Sequence, residues 1–299
     1  MVYRNLFVES PARISLKSGR LVIAVKEEWS VPLEDVDALL IESRQSIVTA
    51  AALSALAENG IVVYFCNEKH LPGGILLPYA GHSRFLTVLS AQQCISEPRK
   101  KRLWQQIVRA KIRNQASCLE LCGRKKGAEE LFAMAARVQS GDGSRLEAAA
   151  AFYFPALFGA GFARGDETEI VNSALNYGYA ILRGAVARKL ACYGFTLCLG
   201  LNHRSALNAM NLADDIIEPF RPAADLLVAQ KRELPESLTP DIKHELFGLL
   251  NIEMLSGGQY HSLSYAVDRL VQSLIRAINS VDEELVIPEL LPIRQHAYE

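Results

Sequence analysis

Glu147, His203 and Glu218 stand in three separate, largely apolar stretches of a 299-residue chain, and together they offer one imidazole and two carboxylates. Such an oxygen-rich set suits Mg2+ or Mn2+ better than structural zinc, which takes several thiolates or imidazoles. A cation held this way polarises a phosphoryl oxygen and stabilises an attacking or leaving oxygen. The segments are Leu146-Glu147-Ala148-Ala149-Ala150, Leu201-Asn202-His203-Arg204-Ser205 and Asp214-Asp215-Ile216-Ile217-Glu218-Pro219-Phe220-Arg221-Pro222.

Each candidate has a structural competitor. Ser144-x-x-Glu147 fits a capping box, in which the glutamate reaches back to the first backbone donor of a helix. A lone histidine is more often a hydrogen-bonded packing residue than a ligand. Asp214 and Asp215 lie i,i+4 and i,i+3 from Glu218, so all three acids can share one helix face. Three clustered carboxylates repel one another unless a cation or an arginine relieves them. Pro219 places Glu218 at a helix break, and Arg221 is a ready counter-charge in a purely structural ion pair. Asp214 or Asp215 could also replace or assist Glu218 as a ligand.

The formal net charge of −1 hides an asymmetry. Between Arg99 and Lys126 ten basic residues face a single acid, Glu120, so that this segment carries +9 and the remainder −10. A concentrated basic stretch in a near-neutral protein is the footprint of a polyanion site. Trp104, Val108, Ile112, Ala116 and Leu119 fall on one arc of a helix of 100° per residue, with Arg102, Arg109 and Arg113 beside it. The candidate phosphate contacts are Arg102, Arg109, Lys111, Arg113 and Arg221.

These side chains need elements to hold them. Residues 1–80 read as a small β-rich domain, with apolar or alternating runs at 6–8, 13–16, 21–25, 38–41 and 61–66. A helix is expected over 49–58, stopped by Asn59-Gly60, and Leu71-Pro72-Gly73-Gly74 reads as an exit loop. From about residue 83 the period is helical, with helices expected near 127–138, 144–159, 168–192, 207–230, 240–252 and 262–280. The expected class is α+β in two domains: 1–80 β-rich, then 81–299 all-helical and carrying the site.

Half the residues are apolar, yet no run approaches the roughly 20 needed to span a membrane. Six cysteines without a Cys-x-x-Cys pair read as reduced core thiols. With no secretory pattern at Met1-Val2-Tyr3-Arg4, a cytoplasmic location without membrane association is expected.

The stretch Leu212-Ala213-Asp214-Asp215-Ile216-Ile217-Glu218-Pro219-Phe220-Arg221-Pro222 resembles the signature of the CRISPR-associated spacer-acquisition integrases, the first-numbered protein of those systems. Leu146-Glu147-Ala148-Ala149-Ala150 and Asn202-His203 resemble that family's other metal-ligand segments. Val31-Pro32-Leu33-Glu34-Asp35, Ala57-Glu58-Asn59-Gly60 and Phe65-Cys66-Asn67-Glu68-Lys69-His70-Leu71-Pro72 are similar to its type II branch, as are segments of the basic helix. The resemblance implies that Glu147, His203 and Glu218 are metal ligands, that Asp215 supports them from behind, and that the cofactor is Mg2+ or Mn2+. It further implies a DNA endonuclease and integrase that inserts foreign fragments into a CRISPR array by attack of a 3′-hydroxyl. The implied partners are double-stranded DNA, both pre-spacer and CRISPR repeat, a second copy joined through the N-terminal domain, and the second-numbered CRISPR-associated protein. Two other readings use the same residues: a metallohydrolase of small phosphate esters, and a non-catalytic DNA-binding scaffold in which Glu147 caps a helix and Glu218 pairs with Arg221.

Overall fold

Short alternating strands open the chain: β1 (Arg4–Val8), β2 (Arg13–Lys17), β3 (Arg20–Ala24), β4 (Glu28–Pro32), β5 (Val36–Ile41) and β6 (Ile47–Val48), then α1 (Ala50–Glu58), β7 (Val62–Cys66) and β8 (Pro72–Leu76). The computed structural model describes residues 4–79, 83–140, 144–166, 169–231 and 234–297, with 144–147 described by their backbone alone. Ser18 and Gly19, with φ of 49° and 71°, form the two-residue turn that joins β2 to β3. Thr49 caps α1 by accepting from the Ala52 amide at 3.3 Å, and Gly60 at φ 60° ends it.

Two four-stranded sheets result, ordered β1-β5-β7-β8 and β4-β3-β2-β6. In the first, β1, β5 and β7 run parallel and β8 antiparallel. Buried on both faces, residues 38–41 of β5 and 62–64 of β7 read as unbroken apolar runs. Leu39, Ile41 and Val63 join Ile14, Leu21 and Leu56 in one core, whereas Ala38, Leu40, Val62 and Tyr64 join the helices in the other. The expected exit loop at Leu71–Gly74 is instead largely strand β8, with Pro72 at its first position, where no ladder donor is required.

The helix-rich part comprises α2 (Phe85–Gln93), α3 (Glu97–Leu121), α4 (Lys125–Ala136), α5 (Ser144–Phe158), α6 (Ile170–Cys192), α7 (Asn211–Ile216), α8 (Arg221–Ala229) and α9 (Pro240–Phe247). It also contains β9 (Ile252–Ser256), β10 (Gln259–Ser262), α10 (Leu263–Asn279) and β11 (Glu289–Gln295), the three strands forming an antiparallel sheet in the order β10-β9-β11. The α+β class is as expected, but this sheet departs from the all-helical reading of the second part. Its signal was readable: Gly257-Gly258, at φ 60° and 77°, joins an alternating apolar run to its partner.

The long α6 is the hub. Tyr64 of β7 packs against it at Gly184, where an added Cβ would stand 2.2 Å from the edge of the Tyr64 ring, and the Tyr64 hydroxyl donates to the Ile181 carbonyl at 2.6 Å. The expected helix 207–230 is broken into α7, a 3-10 turn at Glu218–Phe220 and α8, since Pro219 and Pro222 lack amide donors for a continuous ladder. Among the described residues no helix is long and apolar enough to cross a membrane. All six cysteines are free; Cys118 is buried, but Cys94 and Cys198 are exposed rather than core thiols.

Candidate active site

The loop after α6 wraps around one carboxylate. Asp215, fully buried on α7, accepts from the amides of Leu201, Asn202 and His203 at 2.6, 3.0 and 3.1 Å, and meets His203 Nδ1 at 2.7 Å. Gly200 permits this close turn, because a Cβ there would stand 2.8 Å from Asp215 Oδ2 and 2.4 Å from the His203 carbonyl oxygen. The hydrogen bond to Asp215 raises the His203 pKa above its ordinary value, outweighing burial. With Nδ1 occupied, Nε2 is the ring nitrogen left for a ligand. Trp104 of α3 meets the imidazole edge-on, with centroids 5.9 Å apart, and fixes the ring plane from the other side.

Glu218 opens the 3-10 turn and is 5 % exposed. Its position is set by Asn114 of α3, a buried amide that donates to the Pro219 carbonyl at 2.8 Å and the Pro288 carbonyl at 3.0 Å, and accepts from the Leu290 amide at 3.1 Å. Lys111 Nζ forms an ion pair with Glu218 Oε2, and Arg221 Nε lies 3.3 Å from Oε1. Burial pushes this carboxyl up, but the Lys111 ammonium and Arg221 guanidinium outweigh it, so its pKa falls below the usual carboxylate value. His203 and Glu218 are close enough to act on one another electrostatically.

The three neighbouring acids therefore do not share one face as a cluster. Asp214 turns to Arg183, which donates through Nε and Nη2 at 2.6 and 2.8 Å, and accepts also from Asn208 at 2.6 Å. Burial acts to raise its pKa, yet the Arg183 hydrogen bond leaves it below the ordinary value. Thus an arginine relieves Asp214, peptide dipoles and an imidazole relieve Asp215, and two cations relieve Glu218. The pairing of Arg221 with Glu218 in the scaffold reading is present.

Glu147 lies on the first turn of α5, but its side chain is outside the described residues, and so is the capping contact with Ser144. Among the described residues no three His, Cys, Asp or Glu side chains gather as a metal cluster. The donors that are described still fit a divalent cation. His203 offers an oriented nitrogen, Glu218 offers a buried carboxylate, and Gln115 Oε1, buried without a hydrogen-bond partner, lines the same cavity as Glu218 as an acceptor suited to a hydrated ion. This cavity, about 380 Å³, is lined by Lys111, Gln115, Arg164, Tyr179, Glu218 and Arg221 among others.

The basic segment divides by role. The buried stripe of α3 is as expected, with Trp104, Val108, Ile112, Ala116 and Leu119 all buried. Arg102, Arg109 and Arg113 are exposed beside it, Arg109 Nη2 donating to the Val138 carbonyl at 3.2 Å. Arg99, however, is buried and donates to the carbonyls of Ala277, Ser280, Val281 and Glu283 at 2.5–3.1 Å, capping the end of α10. Lys111 and Arg221 belong to the carboxylate site. Asn114, Arg183 and Tyr179 complete that site without having stood out in the sequence, because single uncharged or paired residues carry no spacing signal, and Trp104, read there only as a core position of α3, also meets His203.

Residues 6–151 and 163–236 match the model of the family described as CRISPR associated protein Cas1. The chain belongs to the Cas1 family. The CRISPR-associated endonuclease Cas1 of Neisseria meningitidis serogroup C (strain 8013) is 45% identical over 305 residues, covering 100% of both chains. Two solved structures share the Cas1 fold at low identity. A casposase bound to its integration product superposes with a TM-score of 0.75 at 20% identity, over 95% of this chain and 92% of that one. A chain of a Cas6-RT-Cas1–Cas2 complex superposes with a TM-score of 0.69 at 17% identity, over 92% of this chain and 35% of that one.

Proposed function

We propose that this Cas1-family chain is a divalent-metal-dependent DNA integrase and endonuclease that inserts foreign fragments into a CRISPR array. The observation that carries the reading is an imidazole locked through Nδ1 and, within its electrostatic reach, a buried carboxylate that lines a cation-rich cavity, on a chain whose Neisseria relative is named an endonuclease. In this reading the 3′-hydroxyl of the incoming strand attacks a target phosphodiester, its P–O bond forms as the target's P–O3′ bond breaks, and the target strand leaves with a new 3′-hydroxyl. Water in place of the hydroxyl gives hydrolysis.

Glu147, His203 and Glu218 would hold Mg2+ or Mn2+, which when bound supplies Lewis-acid polarisation of the phosphoryl oxygen. Asp215 keeps the imidazole aimed. Asn114 keeps the Glu218–Pro219 turn in place. Lys111 and Arg221 add positive charge where the reacting phosphate accumulates negative charge, and Arg102, Arg109 and Arg113 bind flanking phosphates without reading sequence. Residues 1–80 would serve as the dimerisation domain and 81–299 as the catalytic, DNA-binding domain. A dimer of the second-numbered CRISPR-associated protein is the assembly partner, and the cytoplasm the place of action.

A strand-transfer assay with a pre-spacer, a repeat-containing plasmid and Mn2+ or Mg2+, with and without that partner, tests the proposal. Joined product that vanishes on chelation supports it. Turnover of short phosphate esters with no response to branched DNA would favour the small-ester hydrolase, and no Mn2+ binding in calorimetry would favour the scaffold.

A further inference from the structure

Three cations face the cavity at Glu218, and they are not equivalent. Lys111 and Arg221 both pair with the Glu218 carboxylate. Arg164, in the connection between α5 and α6, has no carboxylate partner among the described residues. Its Nη1 and Nη2 donate to Asn172 Oδ1 and Asn176 Oδ1, each at 2.7 Å, and both acceptors are neutral amides.

The support for this guanidinium is extensive. Asn172 is fully buried at the start of α6 and also donates to the Ala163 carbonyl at 2.9 Å, so one side chain pins both the Arg164 head and the backbone beside it. The guanidinium stands 5.3 Å from the Tyr179 ring centroid and 5.9 Å from that of Phe154. Arg221 lies over the same Tyr179 ring at 4.6 Å, and the Tyr179 hydroxyl is anchored on Asp225 at 2.5 Å. Tyr179 thus sets the spacing of two guanidiniums at the cavity wall. An arginine has five N–H donors in a rigid fork. Amides and rings orient Arg164 without neutralising it, and Asp225, also on the cavity wall, is engaged by Tyr153 and Tyr179, so among the described residues the remaining donors of Arg164 have no carboxylate in contact.

We infer that Arg164 grips a phosphate of the DNA strand next to the reacting one, as a substrate-positioning residue of the cavity. The inference rests on the integrase reading above and names a contact outside the basic helix α3. Arg164 brings a full charge and a directed fork, the combination that recognises a phosphate by two parallel hydrogen bonds.

The experiment is a neutralisation scan. Pre-spacer and target duplexes carrying single methylphosphonates, at each position flanking the reacting phosphate, are compared for strand transfer by the wild-type protein and Arg164→Ala at saturating Mn2+. At one position the methylphosphonate should slow the wild type about 10- to 100-fold. The same modification should alter the rate of Arg164→Ala by no more than about twofold, a coupling that a merely structural arginine would not produce. Effects that multiply at every position overturn the inference. Should Arg164→Ala fail to fold, the scan on Asn176→Ala, whose amide is exposed, takes its place: reduced sensitivity at one phosphate supports the contact, and full multiplication everywhere overturns it. A wild-type protein inactive on every DNA would refute the integrase reading itself, and this inference with it.

Discussion

Asp215 and Glu218 are both buried acids, three residues apart, and they are neutralised by opposite means. Asp215 is surrounded by three peptide N–H groups and an imidazole, all supplied by the loop it holds. Glu218 meets two side-chain cations on neighbouring elements, Lys111 of α3 and Arg221 at the start of α8. Peptide donors are fixed by the backbone, whereas lysine and arginine heads can swing to another anion. The first carboxylate is therefore built to organise a loop, and the second is held by partners that a substrate or an ion can displace. A site that must be both rigid and exchangeable has divided those duties between adjacent turns.

The sharpest way to break this comparison is to remove the exchangeable half. Glu218→Ala and His203→Ala should each lower strand transfer by more than about 100-fold, exceeding the ~10- to 100-fold typical of groups that act behind a ligand. Circular dichroism should show the fold intact, and near-normal integration by His203→Ala would remove it from the site. Asp215→Asn should fall within that smaller range of rate loss and weaken Mn2+ binding in calorimetry. It should also destabilise the protein by about 1–3 kcal/mol, because the amide N–H2 cannot accept and at least one of the three backbone donors is left unpaired. If Asp215→Asn lost more activity than Glu218→Ala, the division of duties would be reversed.

Away from the cavity the effects should be milder. Replacing Arg109 and Arg113 together with alanine should weaken DNA binding and reduce the slope of log affinity against log salt by about 2, roughly 0.9 for each phosphate left without its arginine. An unchanged slope in fluorescence anisotropy would take both off the DNA surface.

The smallest expected effect concerns a third buried acid. Asp225 accepts from the hydroxyls of Tyr153 at 3.0 Å and Tyr179 at 2.5 Å, and burial pushes its carboxyl up to about 6 despite those bonds. The folded protein binds this proton more tightly than the unfolded chain, whose aspartate titrates near ~3.9. Stability should therefore be gained as pH falls through about 6 toward ~4, and lost as pH rises through about 6. Asp225→Asn should remove that dependence, and parallel melting curves for variant and wild type across the range would refute it.

Much of the framework was legible along the chain. The apolar stripe Trp104, Val108, Ile112, Ala116 and Leu119 marked the buried side of α3 because helical spacing brings those positions onto one arc. Pro219 marked the break before α8, since its ring cannot sit in a regular helix interior. The sheet β10-β9-β11 was missed although Gly257-Gly258 announced its hairpin, because its flanking runs are too short to stand out among helices. In the basic segment, spacing could not separate Arg99, which caps α10, from Arg102, which is exposed.

The sequence alone determined the residue types at the candidate site, the β-then-α order and the position of the helix break. These follow from local rules: side-chain chemistry, hydrophobic period and the missing amide of proline. Only the tertiary structure decided that Asp214 faces Arg183, Asp215 faces a backbone loop and Glu218 faces Lys111, and that Arg164 reaches the same cavity from another connection. Those outcomes depend on which elements pack together. Lys111 and Glu218 are far apart along the chain, on α3 and in the turn before α8, and no spacing rule extends over such a separation.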